Sequence, residues 1–82
     1  MFKYVVVRDE FGGIEVPLIF PETINHSTVQ KFNQDHTSVS AGFCGVNKEG
    51  RWEAWGQSLT LRLKSRPEID GKILTEAFGR IA

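Results

Sequence analysis

The chain has 82 residues, 40% hydrophobic and 24% charged, which suits one globular domain and excludes a disordered tail. Ten basic and ten acidic side chains cancel, so no global field draws the protein to nucleic acid or to an anionic membrane. The lone Cys44 excludes an internal disulfide, FKYVVVRDE lacks the apolar core of a secretion signal, and no run approaches the roughly 20 apolar residues of a membrane span; a cytoplasmic location is expected.

Phe2 to Asp9 is rich in aromatic and β-branched residues and reads as a strand with apolar side chains on both parities. Asp9 to Gly13 is turn chemistry. Ile14, Val16, Leu18 and Phe20 then alternate through a second strand, and Pro17, which has no N–H to donate, places that strand at a sheet edge or puts residue 17 at an unpaired position. After Pro21, residues Asn25 to Asn33 read as a short helix with Asn25 as N-cap and with Val29 and Phe32 on one side.

The stretch from Thr37 to Leu63 reads as a hairpin about the polar turn Asn47-Lys48-Glu49-Gly50. Period two puts Val39, Ala41, Phe43 and Gly45 on one face, with Ser40, Gly42, Cys44 and Val46 on the other. In the return run Trp52 and Ala54 have one parity while Leu59, Leu61 and Leu63 have the other, so a bulge or break is expected at Gly56. Trp52 and Trp55 then face opposite sides. Pro67 suits a first helical turn, Ser65 and Glu68 have capping-box spacing, and Ile69, Ile73, Leu74, Ala77 and Phe78 form an apolar stripe ending at the C-cap Gly79. Gly71 inside that stripe points to close packing or an irregular first turn.

These elements predict an α+β domain spanning residues 1–82: a four-stranded, mostly antiparallel sheet in the order β-β-α-β-β-α, with two helices packed on one face. The other face is then open, and the apolar residues of both parities predict an interaction patch there.

Chemistry is sparsely signalled. Ser38, Ser40, Ser58, His26, His36 and Asp35 supply the ingredients of a triad, but no nucleophile elbow surrounds any serine. Cys44 with a histidine could form a thiolate pair, although a lone cysteine in an apolar strand is more often a small buried hydrophobe. No CxxC or HxxxH spacing offers a metal site, and Gly42, Gly45 and Gly50 lack the Lys-Ser/Thr of a phosphate loop. Arg62, Lys64 and Arg66 alternate into the last helix and form the one basic edge.

Taken together, VSAGFC and WGQSLTLRLKSRPEIDGKIL, with the Asn25-His26 step ahead of the first helix, resemble a group of small phage and prophage proteins. These carry an AGF strand, an aromatic-Gly-x-Ser-x-Ser/Thr-Leu strand and a Ser-Arg-Pro-Glu helix start. The resemblance spans about half of the chain and names no chemistry. It implies a phage-borne accessory protein that acts in the host cytoplasm by binding something. The expected function is therefore non-enzymatic protein–protein interaction, with a homodimer among the options, through Trp55, Val5, Val7, Arg62, Lys64 and Arg66. No catalytic residue, cofactor or metal is expected. The alternatives are a nucleic-acid-binding protein using the Arg62–Arg66 edge and a small enzyme using His26, His36 or Cys44.

Overall fold

Strand β1 (Phe2–Asp9) is the spine of the fold, because its bulky apolar side chains occupy both parities. The computed structural model describes residues 1–80. In it β1 pairs antiparallel with β2 (Glu15–Pro21) and with β3 (His36–Val46), and β3 pairs antiparallel with β4 (Trp52–Trp55). The sheet order is β2-β1-β3-β4. Pro17 does lie on an edge strand, opposite Val6.

The α+β class, the four-stranded antiparallel sheet and the two helices agree with the sequence reading, but the helices do not share a face. Helix α2 (Pro67–Phe78) places Leu74 and Ile73 on Tyr4, Val6, Cys44, Trp52 and Ala54. Helix α1 (His26–Lys31) places Val29 on the other parity, with Val5, Val7, Phe20 and Ala41. The reason is that β1 is apolar on both sides and both must leave water; burying a Val or Leu side chain contributes about 1.5–3 kcal/mol. Six residues of α1 cannot cover the second face alone. Leu61 and Leu63 complete the cover from a small hairpin of β5 (Gln57–Ser58) and β6 (Leu63–Lys64), an addition to the expected order. The sheet is therefore covered on both faces over β1, with the Trp55 end of the α1 side left exposed.

Two local features set this arrangement. Between Val6 and Val7 the β1–β3 register slips, so that Val6 opposes Ser40 while Val7 opposes Ser38. Val39 is the extra residue of a bulge, and it packs on the α2 side with Tyr4 and Val6 rather than sharing a face with Ala41 and Phe43. The second feature is Gly56, with φ of 79°, where the chain leaves the sheet as expected instead of continuing the strand. A β-carbon there would lie 2.9 Å from the Phe43 ring, so glycine is required on both conformational and steric grounds.

Asn25, Pro67 and Gly79 stand at the helix ends as expected, but the side-chain caps do not form. Asn25 and Arg66 occupy the N-cap positions, and neither makes a side-chain cap hydrogen bond. Phe32 is exposed beyond α1. In α2 the buried residues are Asp70, Gly71 and Leu74, while Ile69 and Ala77 face solvent. Gly71 lets the helix settle onto β4, since a β-carbon there would stand 3.2 Å from the Trp52 carbonyl oxygen. Among the described residues, no helix is long and apolar enough to cross a membrane.

Candidate functional site

The polar residues divide into a closed interior network and a surface row. The interior network begins at Asp70, fully buried although it is charged. Its Oδ2 accepts hydrogen bonds from the Tyr4 hydroxyl at 2.5 Å and the Arg66 backbone N–H at 2.9 Å; Oδ1 accepts from Ser40 Oγ and Arg66 Nε, both at 3.0 Å. The bond to the Arg66 N–H does the work expected of a Ser65–Glu68 capping box, with Asp70 reaching back instead. Ser40 faces Asp70 because it shares the α2 side with its cross-strand partner Val6 and with Cys44. Arg66 in turn contacts Glu15 at 2.8 Å, and Glu15 contacts Arg8 at 2.8 Å.

Charges thus alternate from the core to the surface of the β1–β2 edge. Side-chain exposure is 0% at Asp70, 28% at Arg66 and 20% at Glu15, and reaches 50% at Arg8. Hydrogen bonds from Arg66 and Arg8 hold the Glu15 carboxyl below its ordinary range. Burial opposes the charge of Arg66, but its bonds to Glu15 and Asp70 outweigh that and raise its pKa. Burial and the Asp70 carboxylate push the Tyr4 phenol upward. Each strong donor here already has an acceptor. The network ties α2 to β1, β2 and β3.

Of the residues expected at a binding surface, Val5 and Val7 are core side chains beneath α1 and the β5–β6 hairpin, with 0% and 3% exposure. They cannot line an open patch. Arg66 is turned into the Asp70 network. Lys64 is exposed on β6, and Arg62 lies between β5 and β6 with φ of 55°. The three cations therefore do not form one basic edge. Trp55 alone behaves as the parity argument requires: it is 40% exposed, against 9% for Trp52, whose ring meets Phe78 at a tilt of 52° with centroids 5.8 Å apart.

The proposed Cys–His pair is not assembled. Cys44 is fully buried on the α2 face, and burial pushes its thiol up to about 11. His36 is eight residues away on the same strand, about 26 Å at the usual rise per residue. His26 lies on the opposite face.

The structure does bring together a row that the sequence did not reveal. Register aligns Phe20, Lys3, Phe43 and Trp55 across all four strands on the α1 side. The Trp55 ring lies across Gly45, where a β-carbon would touch it at 3.5 Å. His26 stands edge-on to Phe20 with ring centroids 5.3 Å apart, and to Phe43 at 6.3 Å. Its Nε2 is 3.0 Å from the Gly42 carbonyl oxygen. Since a carbonyl only accepts, Nε2 carries the proton and Nδ1 is the acceptor nitrogen of the neutral ring. Burial lowers the His26 pKa, against the opposing pull of the Gly42 and Tyr4 backbone carbonyls.

Beside this row, between α1 and the β5–β6 hairpin, runs a groove of about 410 Å³ lined by Lys3, His26, Phe43, Gln57, Ser58 and Leu59 among others. Ser58 holds its hairpin wall in place by accepting the Leu61 N–H at 3.2 Å. A larger groove of about 490 Å³ lies between β4 and α2, but Arg51, Glu53, Glu68 and Lys72 on its walls bring both signs of charge and no consistent recognition chemistry. Alternating aromatics in the strands (Phe20, Phe43, Trp55) were the available sequence signal for the row; aligning them needs the strand register. Among the described residues, no cluster of His, Cys, Asp and Glu could hold a metal ion. Compared with known proteins, the chain matches no family model, no curated protein and no solved structure.

Proposed function

We propose that the protein is a non-enzymatic accessory protein that acts by protein–protein interaction, through the end of the sheet carrying Trp55 and Phe43. The observation that supports this is the division of labour among its side chains. Asp70, Tyr4, Ser40 and Arg66 satisfy one another inside, Cys44 is sealed, and of the two Trp residues Trp55 is left 40% exposed on the sheet with its ring against Gly45. A partly exposed Trp packed against a neighbouring strand is the kind of residue that dominates binding energy at interfaces. The resemblance to small phage and prophage proteins supplies the setting, a host cytoplasm. A second copy of the chain is one partner to test.

Trp55→Ala and, as a control on the far side, Ile69→Ala are compared with the parent in affinity purification from a bacterial lysate and in sedimentation at tens of micromolar. A specific partner or a self-associated species that is lost with Trp55→Ala and kept with Ile69→Ala is the expected result. Equal behaviour of all three proteins would overturn the assignment of the surface. Submicromolar binding of duplex DNA at physiological salt would replace the whole reading with a nucleic-acid one.

A further inference from the structure

Resting on that reading, the groove beside Trp55 gives the partner a chemistry. Its volume, about 410 Å³, falls within the roughly 300–1,000 Å³ of known ligand sites. Its apolar surface comes from Phe43 and Leu59, the latter 79% exposed on the hairpin. Its one fully charged side chain is Lys3, and no acidic residue lines it. Lys3 Nζ donates one hydrogen bond, to the Ile24 carbonyl at 3.1 Å, which leaves two donors of the ammonium for a ligand. His26, 95% buried by its 5% exposure, spends Nε2 on Gly42, and its Nδ1 has no donor among the described residues. The groove therefore offers an apolar wall, one cation, and neutral polar groups from His26, Asn25, Gln57, Ser58 and Thr60.

We propose that this groove takes a peptide segment of the protein partner in which an apolar side chain is followed by a carboxylate. The apolar side chain lies against Phe43 and Leu59, the carboxylate meets Lys3, and a backbone N–H of the segment donates to His26 Nδ1. The groove adjoins the Phe43–Trp55 pair, so the same partner covers both.

The test is selection of a random-peptide display library on the intact protein, on Lys3→Glu and on Lys3→Arg, with thermal melts to confirm that each variant folds. The parent should enrich peptides with an apolar residue next to Asp or Glu. Synthetic copies of those peptides should bind Lys3→Glu about tenfold or more weakly and Lys3→Arg nearly as well as the parent. Chemical shifts on binding should include His26 and Ser58. Enrichment without an acidic position, or binding indifferent to Lys3→Glu, would overturn the groove while leaving the interaction reading standing. Failure of any peptide to enrich, together with a partner that is insensitive to Trp55→Ala, would overturn both.

Discussion

Replacing Asp70 by Ala is the severest single perturbation the interior offers. The substitution leaves the Tyr4 hydroxyl, Ser40 Oγ, the Arg66 N–H and Arg66 Nε without their acceptor, all at or near a fully buried position. Removing one partner of a buried ion pair costs about 3–5 kcal/mol. A domain of 82 residues is stable by only about 4–12 kcal/mol in total, so Asp70→Ala should lose a large share of the stability at 25 °C. Tyr4→Phe removes one donor and should cost about 1.5–3 kcal/mol, the range for a hydrogen bond to a charged group. At a urea dependence of about 1 kcal/mol per molar, that shifts the midpoint by about 1.5–3 M. The assay is urea unfolding followed by Trp fluorescence, with the Tyr4→Phe, Asp70→Asn double mutant closing a cycle. The two substitutions should be non-additive by at least about 0.5 kcal/mol. A cost below about 1 kcal/mol for Asp70→Ala, or strict additivity in the cycle, would refute the claim that Asp70 organises the interior.

Gly42→Ala should be destabilising by about 2 kcal/mol or more, because the new β-carbon would fall on the Trp55 backbone carbonyl where the chain crosses β3; thermal melting checks it. His26 should make stability depend on pH near neutrality. Its pKa is lowered by burial, so below about pH 6.5 the unfolded chain binds more protons than the native one. The contribution is complete above that pH and is lost as the pH falls through the lower folded value; His26→Gln should flatten urea midpoints measured between pH 7.5 and 5. Cys44 should resist a thiol reagent at pH 8 until the protein unfolds, because its thiol is buried and pushed up to about 11. Stoichiometric labelling of the native protein within minutes would contradict this.

Much of the fold is legible in local chemistry. Pro17 marks the edge strand, Gly56 the exit from the sheet, and Pro67 and Gly79 the ends of α2, because each rests on what one residue's backbone can do. What escapes is the assignment of partners. Val5 and Val7 against Tyr4 and Val6 announce two apolar faces, yet nothing local says that α1 takes one and α2 the other. Reading one face as open followed from counting two helices and overlooking Leu61 and Leu63 as a third cover. Asp70 resembles a solvated residue of an amphipathic helix, because charged side chains are seldom fully buried. Its burial depends on Tyr4, Ser40 and Arg66 converging from three places in the chain. The site was legible only at Trp55, where parity within one strand suffices. Lys3, His26 and Phe43 meet through the β1–β3 register, which is a property of the whole sheet.

The central claim is that partners meet this protein at its Trp55 end. A photo-crosslinking amino acid placed at position 55 in bacterial cells tests it most directly, with the same group at exposed position 69 on α2 as the comparison. The account predicts a discrete adduct at position 55, competed away by excess unlabelled protein, and none at position 69. Equal adducts at both positions, or an adduct at 69 alone, would contradict it.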